Sequence, residues 1–479
     1  MINKTYDEKI TQWIIDNKDR MIEYWCELIR IPSIKSEAEE NAPFGKNCAK
    51  ALSLANEIFE KEGFKSNIYA KNGYALAYHG SGEKKIGLFS HSDVVPVGGD
   101  WLFTEPFTPV IKEGSLIGRG SEDNKSGIIA SLCLYEILRD CNISLKSKLE
   151  AFIGSDEECG MKDMIAYLDE QEMPDISIVP DADFPCSVGE KGIYHFLCQS
   201  KETLADIIDF SGGEAFNIVL DKVTVKLRLS DEILDELSAM TENKDEFALS
   251  SDGETLTLTA KGVAKHASIP EGSVNAAHLA SKLLSECKSI KKNDRDIMSR
   301  TADILSCSYG SSIGVSHTDK KFGRLTSVNG MVKTINGKLE LSFDCRYGDT
   351  LDGSYLEKTS EKVLLEKGFE VTYKDNRAGF SIPDDNEIPA ILEDIYEEVS
   401  GKRLGRVLMS GGTYARRLKN AFSIGTFIIK DGRENPVLAM PDGHGGPHQC
   451  DERIDLEGFF EAVRVLVHYV IAIDEYINN

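Results

Sequence analysis

Five short segments carrying histidines and carboxylates are scattered over most of this chain. Only a fold that returns distant loops to one place can use them together. They are His91-Ser92-Asp93, the run Gly118-Arg119-Gly120-Ser121-Glu122-Asp123-Asn124-Lys125, Asp156-Glu157-Glu158, Pro180-Asp181-Ala182 and Pro447-His448-Gln449. Each falls at a strand end or a loop in the hydrophobic pattern. Two imidazoles and several carboxylates suit a pair of divalent metals, which together can activate water and polarise an amide.

Each segment alone is weak. His91 and Asp93 follow an apolar run, and alternate residues at a strand end face the same way. An isolated His-x-Asp is more often a surface histidine beside a turn carboxylate. His91 is the candidate ligand, and Asp93 is either a ligand or the group that orients it. The glycines at 118 and 120 let the backbone bend before a helix. A carboxylate there, Glu122 or Asp123, can reach two metals, although acidic residues also favour helix starts for their own sake. Three adjacent carboxylates at 156–158 repel one another unless a cation or solvent offsets them. Neighbouring side chains diverge, so one glutamate can bind metal while the other faces the attacking water. Asp181 ends the run Ile176-Ser177-Ile178-Val179, and strand ends of an open α/β sheet are where ligands collect. His448 competes with His444 in the loop before the last helix, whereas His278 and His468 sit on helix faces and read as packing residues.

The pattern around these segments is that of an α/β enzyme. Apolar spacing predicts helices over 6–30, 49–62 and 127–139. Strands are predicted at 66–69, 74–78, 85–90 and 149–154. This alternation argues for a largely parallel sheet. After about residue 187 the texture changes to alternating strands (223–229, 255–259, 338–343 and 369–373), most of them followed by a helical stretch. These suggest βαβ-type α+β modules with one sheet face exposed. Long amphipathic helices return at 388–399 and 456–476. The expected organisation is a first domain in two segments, 1–186 and 383–479, interrupted by an inserted domain, 187–382, which the resemblance described below makes a catalytic domain and its lid.

Composition excludes some partners. A formal net charge of −24 disfavours nucleic acid and anionic membrane surfaces. No apolar run has the length of a membrane span, and the start has no secretory pattern. The 11 cysteines form no Cys-x-x-Cys pair and read as free thiols, which places the chain in the cytoplasm.

Taken together, the segments resemble the M20 family of metallopeptidases, in particular its dipeptidase V (Xaa-His dipeptidase) branch. The likeness runs over nearly the whole chain. Beyond the five segments it includes Gly189-Glu190-Lys191-Gly192, His266-Ala267-Ser268 and Gly411-Gly412-Thr413-Tyr414-Ala415-Arg416. Ser126, Ile269 and Ser410 depart from the family pattern without touching a ligand position. The resemblance implies a zinc-peptidase-like catalytic domain with a mixed, mostly parallel sheet and a lid of ferredoxin-like modules. It implies two Zn2+ per subunit, with Mn2+ or Co2+ as substitutes. His91, Asp123 and Asp181 would hold one ion, and Asp123, Glu158 and His448 the other. Asp93 would orient His91, and Glu157 would be the general base toward a metal-bridging water. A cis peptide would follow Asp123. In the lid, His266 would stabilise the oxyanion and Arg346 would grip the substrate carboxylate. Asn217 and Gly412 match further substrate-contacting positions.

The implied activity is hydrolysis of unblocked dipeptides. An N-acyl amino acid deacylase of acetylornithine or succinyl-diaminopimelate type shares the chemistry and is the alternative. A non-catalytic binding protein is the third reading, opposed by the intact ligand set. The long insert suggests a monomer, with a homodimer as the alternative.

Overall fold

The computed structural model describes residues 2–428 and 438–479. Two compact units divide the chain. One comprises Met1–Val188 with Ile382–Asn479, and the other Gly189–Ser381.

The first unit is built on a mixed sheet whose centre is parallel. Strand Lys85–His91 lies between Lys148–Gly154 and Ile176–Ala182, parallel to both, and Ala421–Gly425 continues the parallel set beside Ile176–Ala182. Tyr74–His79 and then Lys65–Tyr69 add antiparallel strands on one flank. Every residue of Lys85–His91 is buried, as expected for a parallel strand covered by helices on both faces. Even Lys85 is enclosed, its Nζ satisfied by Glu150 and by the Glu172 carbonyl.

The helices form where apolar spacing and caps agree. Helix Lys4–Ile29 starts at Asn3, whose side chain accepts the N–H groups of Thr5 and Tyr6. It buries Ile10, Trp13, Met21, Trp25 and Leu28 on one face. Helix Lys125–Asp140 is buried along almost its whole length, and helix Leu456–Ile477 is capped by Asp455. His468 and Arg464 on this last helix meet Asp7 on the first. Arg464 donates from Nε at 2.6 Å and Nη2 at 2.7 Å, and His468 Nε2 lies at 3.0 Å. His278, the other helix-face histidine, contacts the Ala302 carbonyl.

The second unit holds two main sheets, a two-stranded ribbon of Thr318–Asp319 with Gly323–Arg324, and four α-helices. The four-stranded sheet pairs Ile207–Ser211, Lys222–Arg228, Thr255–Lys261 and Phe247–Ser251. Gly192–Ser200, Lys338–Tyr347 and Phe369–Arg377 belong to the five-stranded sheet. Every pairing in both sheets is antiparallel. Antiparallel sheets crossed by helices, with one sheet face exposed, are what the expected α+β modules require. One face of the four-stranded sheet is exposed, as the alternating burial of Lys222–Arg228 shows, whereas Lys338–Tyr347 is buried along nearly its entire length. One apolar cluster containing Phe196, Phe343, Leu227 and Leu258 spans both sheets.

Asp7 gives a pH signature. Burial pushes its carboxyl up, but the hydrogen bonds from Arg464 and His468 prevail and hold it below the usual 3.8. A depressed carboxyl contributes stability above its unfolded pKa and loses it as pH falls through the folded value. Asp7→Asn should cost about 1–3 kcal/mol at neutral pH. In urea unfolding followed from pH 7 to 3, its deficit relative to the parent protein should shrink toward zero. A deficit that stays constant would contradict this account.

Candidate active site

Three of the five segments leave the C-terminal ends of the central parallel strands, and the register explains why they meet. His91 pairs with Gly154, so the loops bearing Asp93 and Glu157 start side by side. Asp181 ends the next strand. Asp123 precedes helix Lys125–Asp140, and His448 lies in the loop before strand Arg453–Asp455.

Asp123 is the hub. Its Oδ1 lies 3.1 Å from His91 Nε2, and its Oδ2 lies 3.0 Å from His448 Nε2. Asp181 Oδ2 sits 3.6 Å from His91 Nε2, and Glu158 Oε2 sits 3.2 Å from His448 Nε2. Ligand atoms of His91, Asp123 and Glu158 all fall within 4.8 Å of one another. One carboxylate thus turns its two oxygens to two imidazoles, each with a second carboxylate beside it. His444, the competing histidine, instead places Nδ1 2.6 Å from Asp451 Oδ2.

The supporting contacts are specific. His91 Nδ1 lies 3.0 Å from the Asp93 carbonyl and 3.5 Å from its Oδ1. The Asp93 carboxylate accepts the backbone N–H groups of Glu157 at 3.3 Å and Glu158 at 3.2 Å, tying two segments together. Asp156 turns away and pairs with Lys35 at 2.5 Å, which separates it from the other two carboxylates of its run. Asn124 follows a cis peptide and donates to Asp181 Oδ1 at 3.0 Å. Ser126 uses its hydroxyl on the Glu122 carbonyl. Two structural carboxylates were missed in the sequence. Asp163 receives the N–H groups of Ser155 and Asp156 and the Tyr414 hydroxyl. Glu452 gathers the N–H groups of the loop that carries Asp123. The acidic pair at 451–452, close after His448, was the available signal.

The electrostatics are those of a cation site. Burial lowers an imidazole pKa, yet His448 is pushed up to about 11 by hydrogen-bond contact with Asp123 and Glu158. His91 is likewise raised well above its usual value, with Asp123, Asp181 and Asp93 overcoming its burial. Burial and neighbouring anions, Asp123 foremost, drive Glu158 up to about 7. Glu157 is likewise raised well above the usual carboxylate range, chiefly through burial. The pocket therefore favours added positive charge. His91 Nε2, Glu157 Oε1 and Glu158 Oε1 are buried without a hydrogen-bond partner. Carboxylate oxygens and imidazole nitrogens that converge on one small space fit divalent cations, which take such donors.

The remaining candidates are placed as follows. Gly412 lies in the first unit before Tyr414–Arg417, packed against the Arg416 guanidinium. Tyr414, two residues on, has its ring 6.3 Å from that of His91. In the second unit, the Ala267 N–H donates to the Asn217 carbonyl, which brings His266 and Asn217 onto neighbouring segments. His266 is exposed, with Nδ1 2.7 Å from Ser268 Oγ. Arg346 is buried on strand Lys338–Tyr347 and grips Asp344 through Nε at 2.6 Å and Nη2 at 2.8 Å.

With this geometry in place, comparison with known proteins agrees. The profile of peptidase family M20/M25/M40 matches residues 87–472. The chain belongs to this family, whose members are hydrolases acting on peptide bonds and using divalent metal. "Putative dipeptidase YtjP" of Bacillus subtilis is 29% identical over 462 residues, covering 93% of this chain and 95% of its own. A Staphylococcus aureus protein also named as a dipeptidase is 28% identical over 490 residues, covering 98% and 100%. Among solved structures, human carnosine dipeptidase 1 has a TM-score of 0.61 at 14% identity, covering 98% of this chain and 99% of that one. The dipeptidase Dug1p of Saccharomyces cerevisiae has a TM-score of 0.58 at 13% identity, with 98% of both chains covered. These likenesses establish the mixed α/β peptidase fold. Among the described residues no helix is long and apolar enough to cross a membrane.

The Asp123 loop depends on a glycine. Gly120 has φ +86°, and a Cβ there would meet Lys125 Cδ and Val94 Cγ1 at 3.0 Å. Gly120→Ala should lower stability by about 1–3 kcal/mol in denaturant titration. Gly411→Ala, with nothing within 4 Å of the added atom, should change it by less than about 1 kcal/mol. Equal effects of the two would refute the strain argument.

Proposed function

We propose that this chain is a two-zinc metallo-dipeptidase that hydrolyses unblocked dipeptides. The observation that carries the proposal is the Asp123 carboxylate facing His91 with one oxygen and His448 with the other. His91, Asp123 and Asp181 would hold one cation, and Asp123, Glu158 and His448 the second. When bound, such a pair polarises the amide carbonyl and lowers the pKa of water. The charges balance: three carboxylates and one hydroxide against two divalent ions.

The protein's own groups carry out the proton chemistry. Glu157 has a buried carboxylate oxygen without a hydrogen-bond partner, and its raised pKa suits a group that takes a proton from water and returns it to the leaving amine. Asp93 fixes the His91 ring through its carbonyl and the backbone of Glu157 through its carboxylate. From the family resemblance, the Gly189–Ser381 unit would serve as the lid, His266 would stabilise the oxyanion, Arg346 would bind the substrate carboxylate, and Asn217 and Gly412 would be further substrate-contacting residues. Names of the relatives and the fold neighbours, which include dipeptidases, support the dipeptide over the N-acyl amino acid as substrate. The insert's two sheets within one chain support a monomer.

Removal of metal with EDTA should abolish dipeptide hydrolysis, and added Zn2+ should restore it. Glu157→Gln should lower kcat about 100- to 10 000-fold with zinc binding retained. A variant with parental turnover would exclude Glu157 as the base. A panel of free dipeptides and N-acyl amino acids tests the substrate: faster turnover of the acylated compounds would favour the deacylase. Light scattering should give the mass of one chain, and concentration-dependent activity of a dimer would defeat the monomer.

A further inference from the structure

Glu452 is fully buried, and every hydrogen bond its carboxylate makes is one it accepts. Oε1 takes the N–H groups of Glu122 at 2.9 Å, Asp123 at 3.0 Å and Gly120 at 3.1 Å. Oε2 takes Gly120 N–H at 3.0 Å and Arg119 Nη1 at 2.7 Å. Its backbone carbonyl receives Gly118 N–H at 2.9 Å and the Ser121 hydroxyl at 3.1 Å. A single residue therefore ties down almost the whole loop 118–123. The register accounts for this, because Arg453 pairs with Ile117 and so sets Glu452 beside Gly118.

The same residue reaches the other segments of the site. Arg119 passes its Nη2 to the carbonyls of Pro96 at 3.2 Å and Val97 at 3.3 Å, in the loop after Asp93. Glu452 itself stands four positions after His448. Its neighbour Asp451 accepts the N–H groups of Leu102 and Phe103, each at 3.0 Å. We infer that Glu452 is a positioning residue for the metal pair, holding Asp123 so that its two oxygens face His91 and His448 at once. The inference rests on the two-cation reading. It assigns to Glu452 a role in zinc affinity beyond its contribution to packing. An amide at this position cannot reproduce the contacts. In either orientation a glutamine NH2 would point at N–H donors, so the loop must shift.

The test is zinc affinity of the full-length protein by calorimetry or chelator competition, with thermal unfolding of the metal-free protein measured in parallel. Glu452→Gln should weaken zinc binding about 10- to 100-fold and lower kcat more than it raises KM. Glu136→Gln is the comparison, a fully buried carboxylate that pairs with Arg20 at 2.9 Å elsewhere in the same unit. It should lose thermal stability with unchanged zinc affinity. If Glu452→Gln does not fold, Arg119→Lys, which keeps the charge but not the planar fork, should show the same direction of change in affinity. Zinc affinity equal to the parent's in whichever of these variants folds would overturn the positioning role. A parent protein that binds no zinc would overturn the two-cation reading instead, so the two failures are distinguishable.

Discussion

Buried like charge is the constraint around which the first unit is organised. Asp123, Glu158 and Asp181 crowd around two imidazoles, with Glu157 beside them. Two unit charges about 4 Å apart repel by roughly 4 kcal/mol at an effective dielectric constant near 20. A few such pairs rival the ~5–15 kcal/mol that holds an ordinary domain folded. The arrangement persists only if positive charge offsets it. Imidazoles with elevated pKa values are the protein's own expression of that demand, and divalent cations meet it more fully. In the proposed function, the cost of gathering these groups would be the source of their affinity for metal.

The scaffold's task is to hold each donor at its place. Parallel strands deliver His91, the 156–158 turn and Asp181 to a common edge, but strands alone do not fix the loops beyond them. Carboxylates that bind backbone N–H groups do so. Asp93 holds 157 and 158, Asp163 holds 155 and 156, and Glu452 holds 120, 122 and 123. Each is an acidic residue whose charge is spent on amides, and each sits directly behind a loop that carries donors of the site.

Much of this was legible in the sequence, for physical reasons that differ by element. The strand Lys85–His91 and the long first and last helices announce themselves because burial on one or both faces dictates their apolar spacing. The five donor segments stand out because carboxylates and histidines at strand ends are unusual unless used. Asp163 was not legible, and Glu452 showed only as half of an acidic pair close after His448, since a carboxylate that satisfies backbone amides has the same letter as one on the surface. Which strands of the insert pair with which was also hidden, because alternation reports which face is buried and says nothing of partners. The choice between His444 and His448 was open for the same reason. It depends on Asp451 taking His444 away, a contact made by loop geometry.

Anomalous diffraction at the zinc edge from crystals grown with Zn2+ addresses the central claim most directly. The account predicts two peaks, one among His91, Asp123 and Asp181 and one among Asp123, Glu158 and His448, with Asp123 touching both. A single peak lacking Asp123, or none at these residues, would contradict it.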